Sequence, residues 1–192
     1  MADPKRVAVL ISGRGSNLRA LVEQADGYEV VLVAANKPQA AGLDWARSKG
    51  LPTWTCDSKG FSREAFDEAL DQVLEDHGIG TIALAGYMRL LSPGFIEKWR
   101  GRIVNIHPSL LPAYRGLDTH ARVLAAGETM TGCTVHVVSE ELDAGRILAS
   151  SQVSVEPGDT PQMLEARVLA AEHLLYPKAL ARYIMAQAKR ST

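Results

Sequence analysis

An amide and an imidazole lie two residues apart in the apolar, β-branched run 103–107, as Asn105 and His107. The run predicts a short buried strand, on which side chains two apart share a face. Pro108 has no backbone N–H and ends the strand, so His107 falls at its carboxyl end, where open α/β sheets bind ligands. Together the two side chains could stabilise an oxyanion and transfer a proton. A turn-forming Asn and a packed His are the simpler interpretation of this motif taken alone.

The second half of the chain holds two more polar residues where predicted strands end or turn. His136 lies in the alternating run Thr131–Val138, which predicts a strand, and Asp143 lies in the acidic turn 139–145 that follows it. A carboxylate close to His107 would stabilise its imidazolium form, and Asp143 is the candidate for that carboxylate. These groups could polarise a carbonyl, stabilise a tetrahedral oxyanion and pass a proton from an attacking amine to a leaving group.

Two other interpretations of this part of the chain stay open. His107, His136 and Asp143 could bind zinc, although no H-x-x-x-H or H-x-H spacing supports such a site. Cys133 or Ser109 could act as a covalent nucleophile, although the sequence has no G-x-S-x-G motif. Cys133 also falls inside a predicted strand, where a buried and inert thiol is expected. The pattern therefore favours acid–base chemistry over metal or covalent catalysis.

A glycine-bearing turn, Ser12-Gly-Arg-Gly-Ser-Asn17, follows the first apolar run. Its backbone N–H groups can face a ligand, and a following helix capped by Ser16 or Asn17 would favour an anion there. Leu18 replaces the third glycine of a dinucleotide motif, and the next strand ends in Asn36 instead of the acid that binds a ribose diol, so NAD is not expected. The turn predicts a site for a single phosphate, such as that of a mononucleotide, with an ordinary βα turn as the alternative.

The composition and charge are those of an ordinary globular domain. Of the 192 residues 46% are apolar, and 21 Lys and Arg against 22 Asp and Glu give a formal net charge of −1. This balance predicts neither a nucleic-acid groove nor binding to an anionic membrane. Cys56 and Cys133 lack the spacing of a redox pair or a zinc ribbon. The sequence shows no cleavable leader and no apolar run of membrane-spanning length, so we expect a cytoplasmic protein.

Strand and helix patterns alternate along the first half of the chain, which is typical of a doubly wound, mostly parallel α/β sheet. Apolar runs predict strands at 6–11, 29–35, 52–56, 81–85 and 103–106, with helical patterns at 43–49, 62–77 and 93–99. Two runs, Thr131–Val138 and Arg146–Val155, predict an added antiparallel hairpin. Thr160–Arg190 predicts a long C-terminal helix, bent or interrupted at Pro177. We expect a single domain over 1–192, in which 1–101 binds the phosphate and 102–192 carries the catalytic groups.

Several motifs stand in the order and spacing of a known enzyme family. They are Ser12-Gly-x-Gly-Ser-Asn17, Gly86-Tyr-Met-Arg-Leu-Leu91, Asn105-Ile-His-Pro-Ser-Leu-Leu-Pro112, Val135-His136 and Leu142-Asp143-x-Gly145. By these motifs the sequence resembles the folate-dependent formyltransferases over essentially its whole length. The turn 12–17 is similar to that of the glycinamide ribonucleotide branch and of its relative, formyltetrahydrofolate hydrolase. The resemblance implies a Rossmann-like formyltransferase fold. It also implies transfer of the formyl group of 10-formyltetrahydrofolate to the amine of glycinamide ribonucleotide, a step of de novo purine biosynthesis.

The resemblance also implies roles for individual residues. His107 would be the general acid and oxyanion stabiliser, Asn105 the second oxyanion donor, and Asp143 the partner of His107 and a proton relay. No metal would take part. The sequence departs from its relatives at Arg146, which stands where they commonly have proline. This departure affects the start of a strand and no catalytic atom.

Both substrates are assigned binding residues by the same resemblance. Gly15, Ser16 and Asn17 would bind the substrate phosphate, and Glu172 would contact the ribonucleotide. The residues implied for the folate lie in several loops: Arg63, Met88, Arg89, Leu90, Leu91, Asn105, Ser139, Glu140, Glu141, Leu142 and Asp143. The expected partners are these two small molecules, without nucleic acid or membrane, and the expected state is a monomer or a weak homodimer.

Neighbouring activities agree less well with the sequence. Methionyl-tRNA formyltransferase carries a further C-terminal RNA-binding domain and a basic face, and the hydrolase carries an N-terminal regulatory domain, so we expect neither here. A folate- or nucleotide-binding module without catalysis is the alternative from another class. The presence of Asn105, His107 and Asp143 together argues against such a module.

Overall fold

Seven strands form one sheet at the centre of the computed structural model, which describes residues 2–189. The strands are β1 (Arg6–Ile11), β2 (Glu29–Ala35), β3 (Thr53–Thr55), β4 (Thr81–Leu84), β5 (Ile103–His107), β6 (Met130–Val137) and β7 (Ile147–Ser154). Their order across the sheet is β3-β2-β1-β4-β5-β6-β7. The first five strands are parallel, while β6 is antiparallel to β5 and β7 to β6. The predicted parallel sheet with an added hairpin is confirmed.

Within residues 2–189, six helices cover the two faces of this sheet. They are α1 (Ser16–Glu23), α2 (Ala41–Ser48), α3 (Arg63–Asp76), α4 (Pro93–Lys98), α5 (Thr119–Ala125) and α6 (Pro161–Ala188). Alternate residues of β1 enter two separate apolar cores. Val7, Val9 and Ile11 pack with α1, α2 and α6, and Ala8 and Leu10 pack with α3 and α4. Because the strand is covered on both faces, its sequence is apolar throughout.

The long C-terminal helix continues through Pro177, so of the two expected effects, a bend or an interruption, the interruption is wrong. Proline removes one backbone hydrogen bond from a helix, but the surrounding contacts hold this turn in place. The hydroxyl of the adjacent Tyr176 lies 3.0 Å from the carbonyl oxygen of Leu84 in β4 and 2.9 Å from that of Val104 in β5. Tyr176 is fully buried between α6 and the sheet. Arg190, placed in this helix by the sequence pattern, lies outside the described residues.

No helix within residues 2–189 combines the length and the apolar character needed to span a membrane.

Candidate active site

Three loops meet where the parallel strands end, at the centre of the sheet. The chain order reverses between β1 and β4, which are neighbours in the sheet although distant in sequence. Such a switch point opens a crevice at the carboxyl ends of the strands, where α/β proteins bind their ligands. The turn after β1, the loop 86–91 after β4 and His107 at the end of β5 all lie at this edge. The topology alone therefore brings together the three motifs that carry chemistry.

The turn after β1 presents backbone N–H groups at the start of α1. Gly15 is the N-cap residue, with a left-handed backbone (φ 73°), and no described side chain caps this helix. The prediction that Ser16 or Asn17 caps α1 is wrong, because both lie within its first turn. A Cβ on Gly15 would lie 3.0 Å from the Cα of Gly42, so both the backbone angle and the close packing require glycine. The uncapped N–H groups and the positive end of the helix suit an anion.

A buried amide and carboxylate lie beside that turn. Nδ2 of Asn17 donates to Oε2 of Glu172 on α6 at 2.7 Å. The residues are 7% and 6% exposed, and burial raises the pKa of Glu172 to about 7. Oδ1 of Asn17 is also buried and has no hydrogen-bond partner among the described residues. Buried polar atoms are nearly always bonded, so this oxygen marks a position where a ligand group or a water molecule is expected.

The two ring nitrogens of His107 both face oxygen atoms. Nε2 lies 2.9 Å from the backbone carbonyl oxygen of Tyr114, and Nδ1 lies 3.4 Å from Oδ2 of Asp143. Since a carbonyl only accepts hydrogen bonds, Nε2 carries a proton. Both side chains of the His107–Asp143 pair are 7% exposed. The ring is therefore buried, oriented from both sides by oxygen atoms, and placed beside a carboxylate.

Asp143 reaches this position from an unusual backbone conformation. Its φ is 50°, and the other non-glycine residues with positive φ in the described part of the chain are Tyr114 and Asp118. All three belong to the two loops around His107. Oδ2 of Asp143 also accepts the backbone N–H of Gly116 at 2.9 Å, which joins the two loops. Strained backbone that is held by surrounding contacts is typical of functional sites.

Asn105 is oriented by His136, its neighbour across the β5–β6 pair. Nδ2 of Asn105 lies 3.2 Å from Nε2 of His136. His136 is 1% exposed, and burial is the main cause that lowers its pKa, so its ring is neutral near pH 7. A neutral ring with its proton on Nδ1, next to the carbonyl of Val137, leaves Nε2 free to accept from the amide. This contact fixes one N–H of Asn105. The second N–H has no partner among the residues that the structure describes, so it is available for a substrate oxygen.

The metal and nucleophile interpretations find less support in the geometry. Within residues 2–189, no group of three or more His, Cys, Asp or Glu side chains is arranged to hold a metal ion. Cys133 is fully buried in β6, and burial raises its thiol pKa to about 12. Ser109 is fully buried too, and its hydroxyl donates to the carbonyl of Ala113 at 2.6 Å. Neither side chain is presented to a substrate.

The loop after β4 combines apolar surface with firm attachment. Met88 and Leu90 are 66% and 57% exposed, whereas Leu91 is buried. The guanidinium of Arg89 donates to the carbonyls of Phe61 and Ser62, beside the exposed Arg63 at the start of α3. The loop therefore presents an apolar wall beside the switch point while its arginine fixes it to α3.

The acidic loop that carries Asp143 is held at several points. The hydroxyl of Ser139 donates to the carbonyl of Glu141 at 3.1 Å. Glu140 pairs with Arg100 at 3.4 Å and Glu141 with Arg115 at 2.6 Å. Leu142 is 53% exposed and lies next to Gly116. The loop thus closes over His107 with its apolar side chain outward.

Some residues that build the site have no signal in the sequence. Tyr114 acts through its backbone carbonyl and Gly116 through its N–H, and nothing in their residue types predicts either contact. Asp67 on α3 is buried and accepts the N–H of Ser92 at 2.5 Å, which fixes the end of the loop after β4. An acid on the apolar face of a predicted helix is the one cue that could have indicated it.

Comparisons with known proteins identify the family of the chain. Residues 5–180 match the family described as "Formyl transferase". The phosphoribosylglycinamide formyltransferase of Escherichia coli (strain K12) is 42% identical over 176 residues, which are 89% of this chain and 83% of that protein. The trifunctional purine biosynthetic protein adenosine-3 of Bos taurus is 49% identical over 180 residues, 91% of this chain. The chain spans only 18% of the length of that larger relative.

Solved structures show the same architecture. The crystal structure of phosphoribosylglycinamide formyltransferase from Brucella melitensis is 49% identical, with a TM-score of 0.89, covering 94% of this chain and 95% of that one. Glycinamide ribonucleotide transformylase 1 from Symbiobacterium toebii is 39% identical with a TM-score of 0.91, covering 94% and 88%.

Proposed function

The chain belongs to the formyl transferase family, and on that premise we propose that it is an enzyme that transfers the formyl group of 10-formyltetrahydrofolate to the amine of glycinamide ribonucleotide. The observation that carries the proposal is the placement of the Asp143 carboxylate 3.4 Å from Nδ1 of His107. The amide of Asn105 lies on β5, the strand that also carries His107. The turn 12–17, which follows β1, lies on the other side of the switch point between β1 and β4. A proton carrier, an oxyanion donor and an anion site thus share one crevice.

The ribonucleotide is bound at the start of α1 in this proposal. Gly15, Ser16 and Asn17 take the phosphate on their N–H groups, because α1 begins there without a described side-chain cap. Glu172 and the unpartnered oxygen of Asn17 are available to the hydroxyl and amide groups of the ligand. In this proposal residues 1–101 bind the phosphate, and residues 102–192 carry the catalytic groups.

The folate lies against the two loops on the other side of His107. Met88, Leu90 and Leu142 offer exposed apolar surface to a flat ring system. Leu91 and Arg89 support one loop, and the segment Ser139–Asp143 forms the facing wall. Arg63, exposed at the start of α3, suits the acidic tail of a folate. The small net charge supports partners other than nucleic acid or membrane. The resemblance supports two small-molecule substrates, no metal, and a cytoplasmic monomer or weak homodimer.

The reaction follows from the chemistry of these groups. The amine nitrogen attacks the formyl carbon, and the formyl oxygen takes up negative charge in the tetrahedral intermediate. The second N–H of Asn105 and the Nε2–H of His107 donate to that oxygen. The substrate oxygen thereby takes the place that the carbonyl oxygen of Tyr114 has beside Nε2 of His107. The intermediate then collapses: the carbon–nitrogen bond to the folate breaks, the proton lost by the amine passes to the leaving nitrogen through His107 and Asp143, and the formyl group stays on the amine.

One mixing experiment tests the proposal. Purified protein is incubated with 10-formyltetrahydrofolate, with and without glycinamide ribonucleotide, and both tetrahydrofolate and formylated product are measured. Formyl loss that requires the amine supports the transferase. Formyl loss without the amine would indicate a hydrolase, and binding without any loss would indicate a non-catalytic module.

A further inference from the structure

The hydroxyl of Ser12 joins parts of the site that are distant in sequence. Its Oγ donates to Oδ1 of Asn36 at 2.6 Å and accepts the backbone N–H of Met88 at 2.7 Å. The backbone N–H of Ser12 donates to the carbonyl of Gly86 at 3.2 Å. Ser12 is 7% and Asn36 4% exposed, so little water competes for these bonds. One residue therefore ties the carboxyl ends of β1, β2 and β4 to each other.

These contacts determine what the side chain of Ser12 can do. A hydroxyl has one hydrogen to donate, and Asn36 takes it. Ser12 opens the turn 12–17, yet its hydroxyl donates to Asn36 after the end of β2 and not to a group of α1. Ser16 differs, because its side chain belongs to the first turn of that helix. Two serines of one motif thus belong to different parts of the site: Ser12 bonds to the loop after β4, and Ser16 lies at the start of α1.

We propose that Ser12 is a positioning residue for the formyl donor: by holding Met88 it sets the loop 86–91, although it belongs to the turn that binds the other substrate. Asn36 orients the hydroxyl for this purpose. Asn36 stands where dinucleotide-binding proteins carry the acid that binds a ribose hydroxyl. In this chain the residue at that position accepts the hydroxyl of Ser12 instead. The inference rests on the proposed function for the identity of the ligand, but the attachment of the loop does not depend on it.

Kinetics of two serine variants separate the two halves of the site. Ser12→Ala removes the acceptor for the Met88 N–H, and we expect the KM for 10-formyltetrahydrofolate to rise by about tenfold, the effect of one lost hydrogen bond, with the KM for glycinamide ribonucleotide changing less than about twofold. Ser16→Ala keeps the backbone N–H but removes a hydroxyl that can also donate to the bound phosphate, so it is expected to raise the KM for glycinamide ribonucleotide instead. Asn36→Ala should act like Ser12→Ala but more weakly, since Met88 keeps its acceptor.

A second measurement needs no substrate. Amide hydrogen exchange of the segment 86–91 is expected to accelerate in Ser12→Ala, while exchange at the start of α1 stays as in the wild type. The matched control is Ser48→Ala, which removes a hydroxyl bonded to the carbonyl of Trp45 at the end of α2, outside the crevice. It should change neither KM nor the exchange of 86–91.

The outcomes distinguish the two proposals. If the wild-type protein transfers no formyl group, the proposed function fails, and hydrogen exchange alone decides whether Ser12 anchors the loop. If the wild type is active but Ser12→Ala changes neither the KM for the formyl donor nor the exchange of 86–91, the inference is overturned. A rise confined to the KM for glycinamide ribonucleotide would overturn it as well, by placing Ser12 in the phosphate site. An equal rise in both constants with a fall in melting temperature would show a merely structural role.

Discussion

Asp143 approaches His107 through a left-handed backbone, with Oδ2 3.4 Å from Nδ1 at a φ of 50°. The other carboxylate oxygen lies 3.6 Å from Nε2 of His136, so the acid stands between two imidazoles. Burial lowers the pKa of His136, which therefore stays neutral, and its Nε2 orients Asn105. Because the ring of His136 is neutral, Asp143 interacts as a charged partner with His107 alone of the two rings. His107 is also the ring whose Nε2 can donate to a substrate oxygen.

Asp143→Asn is expected to lower kcat by about 100-fold or more, a typical loss for a general acid–base step. Asn adopts left-handed backbone as readily as Asp, and its amide oxygen can still accept the N–H of Gly116. The variant therefore removes charge without disturbing the loop. Initial rates of tetrahydrofolate release, together with the melting temperature, check this expectation.

The control for this variant lies outside the site. Asp44→Asn removes an exposed carboxylate of α2 that pairs with Arg47. It should leave kcat within about twofold of the wild type, because exposed ion pairs contribute little. Near-normal turnover by Asp143→Asn would contradict the role proposed for its charge.

The elements that position the site were predictable, whereas several of its contacts were not. Alternating apolar runs indicated β1, β4 and β5, and Pro108 indicated where β5 ends, because burial and missing N–H groups leave local signals. The left-handed angles of Tyr114 and Asp118 leave none, since neither residue type requires that conformation. They are imposed by contacts between distant segments.

Two features that the sequence did not show share a physical cause. Asn36 was interpreted only as the absence of an acid, although its partner is Ser12, 24 residues away in sequence. Pro177 was expected to bend or interrupt a helix, and the interruption is absent from the helix Pro161–Ala188, where Tyr176 bonds to the sheet. In both cases tertiary contacts decided the outcome, and a single sequence does not show which residues will meet.

Glu172→Gln is expected to stabilise the protein, and more so at high pH. In the folded chain the pKa of Glu172 rises from 4.5 to about 7 because of burial. Above pH 4.5 the unfolded chain loses this proton more readily than the folded one, so stability falls as the pH rises to 7 and is level beyond. The gain in unfolding free energy should be about 1 kcal/mol at pH 5 and about 3 kcal/mol at pH 8.

Urea unfolding at the two pH values measures this difference. Glu165→Gln is the matched control, since it removes a partly exposed carboxylate of the same helix that pairs with Arg14. Its effect should stay below about 1 kcal/mol at both pH values. If Glu172→Gln raises the unfolding free energy by the same amount at pH 5 and pH 8, Glu172 is charged in the folded protein at both pH values. The variant should also raise the KM for glycinamide ribonucleotide.

Tyr176→Phe is expected to lower the free energy of unfolding by about 1 to 2 kcal/mol, because a buried hydroxyl between two strand carbonyls is lost. Tyr28→Phe provides a comparison, since its hydroxyl donates to one carbonyl, that of Leu21, at 2.8 Å. It should cost less than Tyr176→Phe. Denaturant melts of both variants test the order, and a larger loss in Tyr28→Phe would mean that Tyr176 does not link α6 to the sheet.

Asp67→Ala and Asp67→Asn are expected to differ by the value of one buried hydrogen bond. Oδ2 of Asp67 accepts the N–H of Ser92, the N-cap of α4, and Asp67 is 2% exposed. Asn can offer an amide oxygen to the same N–H, whereas Ala leaves that N–H buried without a partner. We therefore expect Asp67→Ala to lose about 1 to 3 kcal/mol more of unfolding free energy than Asp67→Asn. Urea titrations at pH 7 measure the gap, and equal stability of the two variants would show that Asp67 does not hold α4 to α3 through this bond.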